Sequence, residues 1–388
     1  MRVAILHHWF VTRGGGERVA ECIASLFPGA DLITLVSADS GLPESLKDRK
    51  LTTSYLQNIP GAVSHHRQFL PLYPSAVEHL DVREYDLIVS SDSGPIKGVL
   101  KREDATHLCY CHSPMRYLWD AYDQYRNQMY GPARLAFTLT AKYVRDWDAL
   151  AARRVTAFAA NSNYVADRIS RYYGRESTVI HPPIDLQRVR ILEPQDHYLA
   201  AGRLVFYKRT DLLIAACNRL NRPLRIAGTG PEEARLRKLA GPNVTFLGEL
   251  SDEDLWNEYA RARALLFAAD EDFGMVPLEA QACGRPVIAY GAGGSLETVD
   301  AYGDQPTGVY FPSQSEDALI AAIEHFESIE SSFCSTAIQK HAENFATPIF
   351  LQQMRDFVLS HAPQAMEAMA PLEECVALER STLLRTVS

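Results

Sequence analysis

The feature that most limits the fold of this chain is an alternation: short apolar runs bounded by turn residues recur, separated by longer segments of helical period. Parallel βαβ units produce that pattern, because each strand is covered on both faces and reaches its neighbour through a crossover helix. The class expected is α/β, with two Rossmann-like parallel-sheet domains facing a central cleft. In the first half the expected strands are Arg2–His8, Asp31–Val36, Asp86–Ser90, His107–Cys111, Thr156–Ala160 and Thr178–His181. In the second half they are Tyr198–Gly202, Leu224–Ala227, Val244–Leu247, Ala264–Ala268, Pro286–Ala289 and Gly308–Phe311.

A chain of 388 residues exceeds the ~250–300 at which single cores stop growing, so two domains are expected. The prolines of His181-Pro182-Pro183-Ile184-Asp185 forbid helix and favour an extended connector. The domains are therefore placed at 1–182 and 183–348. The helix-like tail 349–388, including LEECVALERSTLL, is expected to pack across both and cross back onto the first. A net charge of -9 argues against nucleic acid as the main partner. Seven cysteines without a C-x-x-C pair or zinc-like spacing point to a reduced, cytoplasmic setting, and the N-terminal stretch shows no export-signal pattern. No apolar run is long enough to span a bilayer, which leaves only peripheral membrane contact. Tyr117–Arg154 is dense in aromatic and basic residues. It reads either as a surface for anionic lipid or as two amphipathic helices with core aromatics and solvated charges.

Three segments carry candidate chemistry. Thr12-Arg13-Gly14-Gly15-Gly16-Glu17-Arg18 precedes a helix whose free N–H groups suit a phosphate, although a tight βα turn has the same composition. Gly202-Arg203-Leu204-Val205-Phe206-Tyr207-Lys208 follows a strand and offers a guanidinium fork and an ammonium able to balance a diphosphate; a solvated basic turn is the alternative. Glu271-Asp272-Phe273-Gly274-Met275-Val276-Pro277-Leu278-Glu279 places two carboxylates around a glycine turn. Their separation suits gripping two ends of an elongated ligand through hydroxyls. Paired carboxylates also serve glycosidases, but that reading leaves Arg203, Lys208 and the glycine loop without a role.

The Glu-x7-Glu of Glu271 and Glu279, the Gly202–Lys208 turn, Ala227-Gly228-Thr229-Gly230-Pro231 and the Gly14-Gly15 loop together resemble glycosyltransferase family 4. Members are retaining enzymes of GT-B fold, and the resemblance runs from residue 2 to about residue 345. It implies that Arg203 and Lys208 neutralise the donor diphosphate and that Glu279 takes the ribose hydroxyls. Glu271 would face the donor sugar, with backbone amides of Phe273, Gly274 and Met275 on its hydroxyls and Val276 among the donor-binding residues. Gly14 and Gly15 would lie where diphosphate and acceptor meet. His112 would stand near the sugar, or else be a core or capping histidine. The base would lie near Gly228, Gly230 and Leu247. The strings His112–Asp120 and Glu271–Gly284 look most like the bacterial mannosyltransferase branch, which tilts the donor toward GDP-mannose.

In the family's chemistry the departing phosphate takes the acceptor proton on the same sugar face, so catalysis by Glu271, His112, Arg203 and Lys208 is expected to be electrostatic and orienting. No cofactor and no metal are expected, since Asp270-Glu271-Asp272 stands at the family's glutamate position and not as a separate metal-binding D-x-D. The acceptor is expected to be a glycan, lipid-linked, in surface polysaccharide or glycolipid synthesis. The alternatives are a UDP-sugar transferase, a nucleotide-sugar epimerase or phosphorylase, and a non-catalytic nucleotide-binding subunit.

Overall fold

The apolar runs become thirteen strands in the computed structural model, which describes residues 1–376. Residues 1–182 form one compact unit with the described residues from Thr347 onward, and residues 183–346 form a second.

The first unit holds β1 (Val3–Phe10), β2 (Asp31–Ser37), β3 (Leu51–Thr53), β4 (Leu87–Asp92), β5 (Thr106–Cys111), β6 (Ala157–Ala160) and β7 (Ser177–Val179). They pair in parallel in the order β3-β2-β1-β4-β5-β6-β7, so the direction of winding reverses between β1 and β4. Successive β1 residues serve opposite faces, as a strand's two-residue period requires. Val3 and Ile5 join a core with Val19 and Ile23 of the helix Gly15–Ser25, whereas Ala4 and Leu6 pack with Tyr73, Val77 and Val144. Phe350, Leu351, Met354, Phe357 and Val358 of the helix Thr347–His361 complete the first of these cores.

The second unit holds β8 (Tyr198–Ala201), β9 (Leu224–Ala227), β10 (Val244–Gly248), β11 (Ala264–Phe267), β12 (Val287–Tyr290) and β13 (Gly308–Phe311). Their parallel order is β10-β9-β8-β11-β12-β13, and winding reverses between β8 and β11.

Strand ends depart from the sequence reading by a residue or two. β1 runs on through Trp9 to Phe10, and β7 stops at Val179 because His181 precedes two prolines. The reading missed β3, a half-buried edge strand of three residues too short to show a period. The described part of the tail belongs to the first unit; LEECVALERSTLL lies from residue 377 on outside the described residues. Among the described residues no helix is long and apolar enough to cross a membrane.

Candidate functional site

Where an open α/β sheet reverses its winding, the loops leaving neighbouring strands part and leave a ligand crevice at the strands' carboxyl ends. In the second unit that place lies between the loops after β8 and β11. Lys208 Nζ donates to Glu271 Oε1 at 2.8 Å, and the two side chains are 19% and 20% exposed. Gly202 makes this possible: its φ is +126°, and a Cβ there would lie 2.8 Å from Lys208 Nζ. Burial opposes the lysine's charge, but Glu271, with Tyr207 and Glu279 beyond it, raises the Lys208 ammonium above its ordinary range. Arg203 is exposed and has no carboxylate partner among the described residues. The two cations expected to act as one pair are thus unequal: one is already met by Glu271, the other is open to an anion.

Glu279 sits in the helix Met275–Ala282, which begins after Gly274 at φ +94°. Its Oε2 accepts from the hydroxyl of Tyr259 at 2.7 Å, and burial and then Glu279 hold that phenol well above its usual range. The two glutamates therefore hold different partners. The Phe273 ring is buried 5.8 Å from Phe345, so only the backbone of Phe273 is available to a ligand. Met275, Val276 and Leu247 are partly buried against the apolar cluster beneath. Gly294 N donates to Glu271 O at 2.8 Å, and a Cβ on Gly294 would lie 2.2 Å from Phe273 Cα. The loop after β12 is thus pressed against the Glu271–Phe273 backbone.

The loops after β8, β9 and β10 meet backbone to backbone. Gly228, at φ +125°, donates to Gly248 O at 2.7 Å, and a Cβ on it would fall 2.1 Å from Gly202 O. A Cβ on Gly230 would fall 2.3 Å from Leu204 O. The β9–β10 register shifts between Phe246 and Gly248, which leaves Leu247 as an extra residue in the ladder. Gly228, Gly230, Arg203, Lys208, Glu271 and the start of the Met275–Ala282 helix are therefore gathered at one end of the second sheet.

Gly14, Gly15 and His112 belong to the first unit, at its own reversal between β1 and β4. His112 follows β5 and donates its backbone N–H to Asp92 O at 2.8 Å. Its Nε2 meets Ser91 Oγ at 2.8 Å, and Ser91 pairs in register with His7 of β1. Gly14 caps the helix Gly15–Ser25 without a side chain, and a Cβ there would lie 3.2 Å from Glu17 Oε2. Burial raises the Glu17 carboxyl to about 7, against the backbone N–H groups of Glu17 and Gly14 that it accepts from. At the helix start read as a phosphate seat, the chain's own carboxyl reaches back from the third helical position as in a capping box.

Three further polar groups escaped the sequence reading. His7 and Ser91 are fully buried, and their signal was polar residues inside otherwise apolar strand runs, VAILHHWF and LIVSSD. Lys97, 1% exposed, lies between Asp92 and Asp148, and Asp148 also accepts from Trp119 Nε1 and the Tyr173 hydroxyl. Of the Tyr117–Arg154 aromatics, Trp119 is thus engaged at this cluster, and Trp147 donates to Glu78. No group of three or more His, Cys, Asp or Glu among the described residues is arranged to hold a metal ion.

Two parallel Rossmann-type sheets in sequence, the second carrying a Lys–Glu pair and an open arginine at its switch point, define the GT-B class of glycosyltransferase fold. Residues 13–188 match the family described as Glycosyltransferase Family 4, and residues 184–344 the family described as Glycosyl transferases group 1. The chain belongs to glycosyltransferase family 4. It is 30% identical over 183 residues to O-antigen chain mannosyltransferase C of Escherichia coli, covering 42% of this chain and 49% of that one. It is 33% identical over 173 residues to the GDP-mannose-dependent monoacylated alpha-(1-6)-phosphatidylinositol monomannoside mannosyltransferase of Corynebacterium glutamicum, covering 36% and 45%. The chain thus spans about half the length of these curated relatives. In fold it is similar to the Anabaena protein Alr3699/HepE solved in complex with UDP, at a TM-score of 0.68 and 18% identity over 93% of this chain and 100% of that one. It is likewise similar to sucrose-phosphate synthase from Thermosynechococcus elongatus, at 0.70 and 17% over 93% and 99%.

Proposed function

We propose that this chain is a retaining glycosyltransferase that moves mannose from GDP-mannose to a lipid-linked glycan acceptor, with 183–348 as the donor-binding domain and 1–182 as the acceptor-binding domain. The observation that carries the reading is Arg203 open beside the Lys208–Glu271 pair at the switch point of the second sheet. A nucleoside diphosphate brings there about two negative charges, one of which the guanidinium fork meets directly. The second draws on Lys208, which trades part of its bond to Glu271 for a phosphate oxygen as charge builds on the leaving group. Glu279, held by Tyr259, takes the ribose hydroxyls. Backbone N–H groups of Phe273, Gly274, Met275 and Val276 meet sugar hydroxyls, and Glu271 and His112 orient the sugar. Gly228, Gly230 and Leu247 border the base, and Gly14 and Gly15 the meeting of diphosphate and acceptor. The departing phosphate removes the acceptor proton on the same face, in a mechanism without cofactor or metal.

Mannose is supported by the two mannosyltransferase relatives, each over about half its length, and GDP by the name of the second alone. The membrane half of the reading rests on the helix Gly131–Ala152. Ala141, Val144 and Ala151 bury one stripe of it, while Leu135, Leu139, Tyr143 and Leu150, at 63%, 64%, 55% and 56% exposure, form a second apolar stripe open to solvent. Exposed Lys142 and Arg153 flank that stripe, with exposed Asp146 between them; the apolar stripe with a basic excess supports contact with the anionic inner face of a cell membrane. Calorimetric titration of GDP and UDP into the protein, with Glu279→Ala as control, tests the donor. Tight GDP and weak UDP binding is expected, weakened in the variant; preference for UDP overturns the mannosyl reading, and no binding of either overturns the site. Flotation with anionic vesicles, reduced by Leu139→Glu, tests the membrane; absence of flotation of the unaltered protein refutes it.

A further inference from the structure

His7 within β1, Ser91 near the end of β4 and His112 just after β5 stand side by side on three neighbouring strands of the first sheet. His7 Nδ1 lies 3.0 Å from Ser91 O and 3.2 Å from Ser91 Oγ, and Ser91 Oγ lies 2.8 Å from His112 Nε2. A carbonyl oxygen only accepts, so His7 carries its proton on Nδ1 and gives it to Ser91 O. The other tautomer would lose that bond and place a buried N–H on Nε2, which has no partner.

With the His7 proton committed, the Ser91 hydroxyl is left as a fully buried donor whose acceptor is His112 Nε2. His112 then carries its own proton on Nδ1. That nitrogen makes no hydrogen bond among the described residues, and the ring is half-buried. We propose that His7 and Ser91 are positioning residues that lock His112 as the Nδ1–H tautomer, so that it presents a hydrogen-bond donor, not a base, to a hydroxyl oxygen of the donor sugar. Burial keeps the ring neutral at pH 7, lowering the His112 imidazole to about 4 and, with His112 as a second cause, that of His7 to about 3.

The part given to the sugar rests on the transferase reading above; the tautomer does not. The test is a long-range ¹H–¹⁵N spectrum of the full chain labelled with ¹⁵N-histidine, in which His112→Gln assigns the His112 signals. A protonated Nδ1 and bare Nε2 are expected. Ser91→Ala should move the ring toward the Nε2–H form that free histidine favours, and lower kcat about tenfold, the worth of one neutral hydrogen bond, with little change in donor KM. His7→Leu should do the same, whereas His7→Asn, whose amide N–H replaces Nδ1–H, should keep the wild-type spectrum and rate. A protonated Nε2 in the unaltered protein, which needs no variant to fold, overturns the proposal, as does an unchanged tautomer in folded Ser91→Ala. Failure of nucleotide to bind at all would undo the transferase reading and leave the tautomer result standing.

Discussion

Replacing Glu271 by Gln should separate what the Lys208–Glu271 pair does for the fold from what it does for a ligand. The variant leaves an ammonium 19% exposed without its counter-charge at 2.8 Å. Breaking a fully buried pair costs about 3–5 kcal/mol, and the residual water at these side chains brings the expectation to about 2 kcal/mol. In a unit of this size that lowers the melting temperature by roughly 4–8 °C. The sign with pH follows from the raised lysine. Its contribution is whole below the unfolded value of 10.5 and is lost as pH rises through the higher folded value, so the gap between variant and wild type is widest near neutrality and closes above pH 10.5. A double-mutant cycle by scanning calorimetry, with Lys208→Met as the second change, measures the coupling. Ligand binding should move the other way. Glu271→Gln frees Lys208, so GDP affinity holds or improves, whereas Lys208→Met should weaken it by about 2 kcal/mol, roughly thirtyfold. Turnover should fall in both. Zero coupling in the cycle, or equal loss of GDP affinity in the two variants, would refute the assignment.

Gly228→Ala should destabilise the second unit by about 3 kcal/mol or more, since its φ is +125° and its Cβ would meet Gly202 O at 2.1 Å; thermal unfolding and loss of nucleotide binding report it. Tyr259→Phe removes the hydroxyl 2.7 Å from Glu279 and should raise donor KM about five- to twentyfold, with kcat less affected, in steady-state assays. Glu17 has its folded value raised from 4.5 to about 7, so folding loses stability as pH rises between the two. Glu17→Gln should therefore be more stable than wild type by about 2–3 kcal/mol at pH 8, with the gain vanishing below pH 5, as urea unfolding at the two pH values would show.

The strands were legible because a parallel strand covered on both faces must be apolar along its length, which a run such as Leu87–Val89 displays without its neighbours. Glu271 and Glu279 were legible for a different reason: a glycine turn entering a helix fixes their spacing locally. What could not be read was pairing across the sheet. Nothing local in sequence joins Lys208 to Glu271, or His7 to Ser91, 84 residues away. The glycine loop was read from its backbone, and the side chain of Glu17 then filled it, since a buried carboxyl with two N–H groups in reach costs less there than in bare core. In Tyr117–Arg154 the amphipathic-helix reading holds for part of the aromatics. Trp119 and Trp147 are tied to Asp148 and Glu78, while the stripe from Leu135 to Leu150 remains open.

The second unit is inserted between the first 182 residues and the helix Thr347–His361 that completes their core. During synthesis the nascent first sheet therefore waits, with Val19, Ile23 and Phe27 lacking Phe350, Met354 and Phe357, while some 160 intervening residues leave the ribosome. The later-made unit can close before the earlier one. A ribosome stalled so that residue 346 has just cleared its exit tunnel should accordingly display a protease-resistant second half and a first half still open to binding by chaperones.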